Sequence, residues 1–280
     1  MADIRKTNII SLFVMYTVVV LFTVLAIYPI FWLVIQSFKT TQEYMTASKL
    51  AFPKVWFLKN YPITWVTGKF GSLIINSVVY TTITVISVIA LSFMAGFAFA
   101  KLPSKLTPIL HGSFIIGILL TLQSILVPLF LMINAVGLYN TRLGVLIPYI
   151  GIGLPMGIYL STEYIKGIPD ALVESARIDG AKYLRIFRSI IMPIASPVAA
   201  SVAVLMITGT WNEFMLINIL ASKNEIKSLP VGINMFSGAL ASDYGKQFAA
   251  LVIGMTPMII FYLVFRKRIT RGVAVGAVKG

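Results

Sequence analysis

Charged residues are missing from six long stretches of this chain. Thr7–Phe38, Phe70–Ala100, Leu106–Thr141, Leu143–Thr162, Ser189–Asn212 and Gln247–Phe265 contain no Asp, Glu, Lys or Arg, and the shortest of them has 19 residues. A helix rising 1.5 Å per residue crosses a hydrocarbon layer about 30 Å thick with roughly 20 residues, so each stretch is long enough. One charge at the centre of such a helix costs about 2.5–3.5 kcal/mol, which explains why the charges are segregated. The pattern predicts an all-α membrane protein with six transmembrane helices near 9–36, 72–100, 108–134, 143–162, 190–211 and 248–265. The whole of 1–280 then forms one transmembrane domain, with connecting segments at 37–71, 135–142, 163–189 and 212–247. Ser228–Ser242, uncharged over only 15 residues and containing Pro230, Gly232, Asn234, Ser237 and Gly238, reads as a loop with a short interfacial turn.

Arg5 and Lys6 precede the first stretch as they would in a signal peptide. That stretch far exceeds a 7–15-residue apolar core and is not closed by a small-x-small site, so it is expected to remain as a helix. Six spans place both termini on one side. With that side cytoplasmic, 14 of the 23 Lys and Arg fall on inner segments, among them Lys101, Lys166, Arg177, Lys182, Arg185 and Arg188. The net charge of +14 is then largely topological, with anionic lipid as its counter-charge. Nucleic-acid binding is not expected, because the aromatic residues lie mostly inside the spans.

Several kinds of chemistry are excluded by composition. The chain has no cysteine and one histidine, His111, for which a packing role is expected. It has no metal-ligating cluster, no nucleophile with a base and no G-x4-G-K-[ST] phosphate loop, so neither catalysis nor ATP binding is expected of it. A proton- or sodium-driven carrier would place ionisable groups in its spans, and these spans carry none. They do carry Ser113, Gln123, Ser124, Asn134 and Asn212, with Pro148, Gly151, Gly153 and Pro155 in the fourth. Hydrogen bonds between helices account for such polar groups, and Ser113, Gln123, Asn134 and Asn212 are candidates for lining a solute pathway.

The 163–189 segment stands out for its polarity. Pro169 and Asp170 suit the start of a helix, with Asp170 and Glu174 near its positive end. Gly180 suits the left-handed residue that ends it. A second helix carries Lys182, Arg185 and Arg188 back towards Pro193. Residue types leave two readings open: a small-residue surface for another protein, or a basic elbow lying on lipid.

Read from Glu174 to Pro193, the segment resembles the E-A-A-x3-G-x9-I-x-L-P loop of ABC importer permeases. Glu174, Ala176, Gly180, Ile190 and Pro193 fall on the pattern, while Ser175 and Met192 depart from it. Tyr28–Trp32, Ser37–Thr40, Trp211–Phe214, Leu229–Gly232 and Gly276–Gly280 resemble further landmarks of the carbohydrate importers, specifically the shorter, MalG-like permease of the maltose type. The resemblance implies a type I importer permease fold with a cytoplasmic coupling helix between helices 4 and 5, in a bacterial or archaeal inner membrane with both termini cytoplasmic. It implies import of a sugar or oligosaccharide, or by the same machinery a solute such as glycerol-3-phosphate. The implied partners are a second, non-identical permease, two ABC ATPase subunits that bind ATP and magnesium, an extracytoplasmic binding protein and membrane lipid; the chain itself binds no cofactor. Glu174, Ser175, Ala176, Asp179, Gly180, Ile190 and Pro193 would couple to the ATPase, and Pro230, Gly232, Asn234, Ser237 and Gly238 would meet the binding protein.

Overall fold

A computed structural model describes residues 9–102, 104–236 and 243–277, and among these there is no strand. The helices are α1 (Ile9–Gln36), α2 (Thr41–Thr46), α3 (Asn60–Thr67), α4 (Phe70–Lys101), α5 (Thr107–Leu119), α6 (Leu122–Ala135), α7 (Arg142–Lys166), α8 (Asp170–Ile178), α9 (Tyr183–Ile186), α10 (Met192–Ile194), α11 (Ser196–Trp211), α12 (Met215–Leu220), α13 (Leu229–Asn234) and α14 (Tyr244–Ala277). Four of them, α1, α4, α7 and α14, are long and apolar enough to cross a membrane unbroken. The other two expected spans are each broken: α5 and α6 meet at 108°, and the Tyr183–Ile194 segment meets α11 at 77°.

Both breaks have local causes. Leu120 and Thr121 are extended, with ψ of 118° and 144°. Ser124 then folds back on Thr121, its N–H and hydroxyl donating to the Thr121 carbonyl at 3.1 and 2.8 Å as a new helical turn begins. At the second break, Pro193 and Pro197 lie four residues apart on either side of Ala195. A proline has no N–H and crowds the carbonyl four residues back, so the helix does not run through. The connecting stretches are partly helical: α2 and α3 lie within 37–71 and α12 within 212–247, and α13 forms a short turn of helix at the start of the 228–242 loop.

The chain forms two compact units. The first comprises Met1–Lys69 with Ile233–Pro257. In it, Trp32, Tyr44, Tyr244 and Phe248 make an aromatic cluster, with Trp32 and Tyr44 ring centroids 5.5 and 5.0 Å from Phe248. Asn60 donates to the carbonyls of Ser37 and Lys39, each at 2.8 Å. Gly245 packs against that Lys39 carbonyl, where a Cβ would not fit. α1 is apolar on all sides and exposed along most of its length, as a lipid- or partner-facing helix is.

The second unit comprises Phe70–Gly232 with Met258–Gly280. Its centre is the crossing of α4 and α7, where Gly96 abuts Ser161, and Gly153 and Gly157 abut Val88 and Ser92. Small residues allow this approach, and Ser161 donates across it to the Ser92 carbonyl at 2.8 Å. One buried cluster, around Tyr80, Val145, Leu146, Tyr149, Leu216 and Ile217, fills one end. A second, around Val88, Phe97, Ile165, Val173, Ile186 and Ile191, fills the other.

Candidate functional site

The polar segment folds as an elbow fastened to the second cluster. Pro169 precedes α8 with an extended ψ of 132°, and Asp170 opens the helix at its positive end. Lys101, the last residue of α4, has a side chain only 3% exposed; its ammonium donates to the Ile168 carbonyl and pairs with the Asp170 carboxylate. Val173 is buried beside Ile168 and Ile186, and Ala176 and Ala181 pack against the same cluster. The helix ends as its residues require: Gly180 has φ of +78°, its N–H reaches the Arg177 carbonyl at 3.0 Å, and the Ala181 N–H reaches the Ala176 carbonyl at 2.9 Å. These are the two bonds of a Schellman cap.

The face pointing away from the bundle is mixed. Glu174, Ser175 and Asp179 are exposed, and so are Leu172 and Ile178, the latter by 86%. Arg177 lies 4.7 Å over the Tyr183 ring and donates to its hydroxyl, clipping α8 to α9. Among the described residues Glu174 forms no salt bridge, and it borders an open cleft of about 570 Å³ lined also by Phe99, Lys101, Ser104, Pro108, Asp170 and Arg177. Leu184, Lys182, Arg185 and Arg188 are also exposed. The elbow therefore presents a carboxylate, a small hydroxyl and two aliphatic side chains, ringed by cations, on a helix whose inner side is fixed.

After α9 the backbone forms a π turn over Phe187–Ile191, in which the Met192 N–H bonds to the Phe187 carbonyl. Pro193 accounts for it, since it cannot donate to the carbonyl four residues earlier and displaces the hydrogen-bond register. Phe187, Ile191 and Ala195 are buried, Ile190 is half-buried and Pro193 is exposed. Ile190 and Pro193 thus belong to the joint that leads from the elbow to the second helix break, and not to the face that carries Glu174.

The other candidate residues are scattered. Pro230 is half-buried and Asn234 exposed, whereas Gly232 is buried with its Cα against the Leu73 side chain, so it packs α13 onto α4 and is not a surface contact. Ser237 and Gly238 lie outside the described residues. Ser113 bonds back to the Leu110 carbonyl at 2.7 Å, and Asn134 is exposed on α6. Gln123 lies 3.9 Å from the Met215 sulfur, and Asn212 donates to the Thr208 carbonyl at 2.9 Å. His111 packs edge-on against Phe99 with centroids 5.7 Å apart. Three structural features have no local sequence signal. They are the Lys101 anchor, the Tyr149 hydroxyl bonded at 2.8 Å to Glu213, and the Asn76, Ser77 and Tyr80 stripe that binds the Glu225–Leu229 backbone at 2.8–2.9 Å. Each joins residues 64 or more positions apart.

Four long apolar helices and two bent pairs that are also apolar enough to cross a membrane, together with an anchored polar elbow, define a polytopic α-helical membrane protein. Residues 5–275 match the family of binding-protein-dependent transport system inner membrane components, and the chain belongs to that family. It is 33% identical over 279 residues to the multiple sugar-binding transport system permease protein MsmG of Streptococcus mutans, covering 98% of this chain and 100% of that one. It is 31% identical to the trehalose transport system permease protein SugB of Mycobacterium tuberculosis and 28% identical to the trehalose/maltose transport system permease protein MalG of Thermococcus litoralis, covering 91% and 93% of this chain and 93% and 94% of theirs. The crystal structure of a bacterial ABC transporter that imports the acidic polysaccharide alginate contains a chain with the same fold, at a TM-score of 0.81 and 22% identity over 95% of this chain and 99% of that one.

Proposed function

We propose that this chain is the permease half of an ATP-driven importer for a sugar or oligosaccharide, and that α8 is the helix through which a separate ATPase drives it. The observation that carries this is the elbow: a helix fastened from behind by Lys101 and Val173 while Glu174, Ser175 and Ile178 are exposed to another protein. A basic elbow merely resting on lipid would turn its aliphatic residues towards the membrane. Here Ile178, four residues on from Glu174, is exposed on the same side of α8 as that carboxylate. Family membership removes the stand-alone carrier from consideration, and the sugar systems of the relatives support a carbohydrate over glycerol-3-phosphate.

The chain does no chemistry in this reading. ATP and magnesium are held by two ATPase subunits, a second permease completes the pathway, and an extracytoplasmic binding protein delivers the solute near Pro230 and Asn234. The elbow and both termini face the cytoplasm. Glu174 meets a basic side chain of the ATPase, Ser175 permits close approach, Ala176 instead seats the helix on the bundle, and Gly180 and Asp179 form the end of the helix. Movement of α8 passes through α9 and the π turn to the break at Ala195, and so to α11; alternating access needs such an element with two arrangements. Non-helical backbone at membrane depth is tolerated only where it is buried or lines a wet cavity, which supports placing the pathway beside the breaks at Leu120–Thr121 and Ala195.

The test compares Glu174→Ala and Gly180→Val with the wild type for membrane abundance, ATPase pull-down and sugar uptake. Both variants should reach the membrane and lose uptake, the first because one partner of a docked charge pair is gone, the second because a β-branched residue replaces glycine at φ of +78°. Normal abundance with normal uptake in both would refute the role of α8.

A further inference from the structure

We infer that this chain contacts the solute itself, through an uncharged amide and hydroxyl patch where the broken α5–α6 pair meets the end of α11 and the start of α12, and that the patch suits a neutral sugar; the inference rests on the importer reading above. Leu122 and Leu126 of α6 pack against the cluster that contains Leu216 and Ile217 of α12, which brings Gln123 to 3.9 Å from the Met215 sulfur. Asn212 stands three residues before Met215. Its amide nitrogen is held by the Thr208 carbonyl at 2.9 Å, so its orientation is set and its oxygen is left unused among the described residues. Gln123, Asn212, Thr208, Thr121 and Ser124 are all exposed.

Exposed amides facing hydrocarbon are costly, so this surface faces water, solute or protein. The charge state of the patch narrows the choice. Glu213, its one acidic neighbour, is consumed: its carboxylate accepts the N–H groups of Leu216 and Ile217 at 2.7 and 3.1 Å and the Tyr149 hydroxyl at 2.8 Å. No Lys or Arg occurs in 106–141 or 189–222, so these segments offer no counter-charge to a phosphate or uronate passing here. A primary amide offers two donors and an acceptor, which match adjacent sugar hydroxyls, and the half-exposed Met215 beside it offers an apolar surface for the C–H face of the ring. The first turn of α6 has no side-chain cap, and among the described residues the N–H groups of Leu122 and Gln123 are left without a partner at the same place.

The chain has no cysteine, so single cysteines report on it directly. Gln123→Cys and Asn212→Cys would be placed in the assembled transporter, with Lys223→Cys on the exposed loop as control, and modified with a small methanethiosulfonate reagent. Maltose, trehalose and diacetylchitobiose serve as neutral probes and an alginate trisaccharide as the acidic one. A neutral sugar that the wild-type complex carries should slow modification at 123 and 212 by about threefold or more, the scale of one or two neutral hydrogen bonds, without slowing it at 223 or being matched by the acidic probe. Equal rates with and without that sugar, equal slowing at 223, or cysteines reactive in the isolated chain but sealed by the partner permease would each overturn the inference while leaving the importer reading intact. Failure of the wild-type complex to carry any of the four probes would overturn the importer reading and this inference with it.

Discussion

Replacing Lys101 with Met keeps the buried aliphatic stem and removes the ammonium, so the perturbation falls on two bonds: one to the Ile168 carbonyl and one to Asp170. A hydrogen bond from a charged donor contributes about 1.5–3 kcal/mol, and it is the Ile168 carbonyl, next to the buried Val173 and Ile165, that loses its partner. The Asp170 side chain is 74% exposed and regains water, so that half of the pair adds less than about 1 kcal/mol. A total of about 2–3 kcal/mol shifts the balance between docked and released α8 by roughly 30- to 150-fold. Hydrogen exchange of the amides of residues 171–178 in the purified chain reads this directly, with faster exchange expected by that factor. Sugar uptake should fall while membrane abundance holds, because the helix would yield to the ATPase without moving the bundle. Asp170→Asn, which removes only the exposed partner, should change exchange much less. Unchanged exchange in the Lys101→Met variant would show that the elbow is held by apolar packing alone and would refute this reasoning.

Gly232→Val should destabilise the packing of α13 on α4, since its side chain would overlap Leu73; Leu73→Ala in the same chain should restore much of the loss in a thermal melt. Burial acts to raise the Asp243 pKa, but hydrogen bonds from Lys246 and Thr41 outweigh it and hold the carboxyl below 3.8. Its contribution to the first unit is therefore complete above about pH 4 and lost as pH falls through the lowered value, so acid should narrow the stability gap between wild type and Asp243→Asn, read by tryptophan fluorescence. Cysteines introduced at Lys54 and Lys227 should react with an impermeant thiol reagent in intact cells, and one at Lys182 should not; labelling at 182 from outside would refute the orientation.

What the sequence showed and what it hid follow from the range of each interaction. Absence of charge is a property of the run itself, so α1, α4 and α7 lie within a few residues of where hydropathy puts them, the differences being polar ends such as Lys101 and Lys166 that helices include and a charge criterion clips. The elbow was legible because its determinants are local: Asp170 at the start of a helix, and Gly180 where positive φ is needed. The break at Leu120–Thr121 was hidden inside an apolar run, where two residues adopt extended backbone without any Gly, Pro or charge between them. The Lys101 anchor spans 69 residues to Asp170, and the burial of Gly232 depends on Leu73; neither leaves a mark in its own neighbourhood.

The most direct test of the account is a photo-crosslinker attached at Ser175→Cys, read in inverted membrane vesicles that contain the assembled transporter. The account predicts a crosslink to an ATP-binding subunit, formed from the cytoplasmic side, that blocks sugar uptake once made. A crosslinker at 175 that captures only lipid or the partner permease, with uptake unaffected, would contradict it.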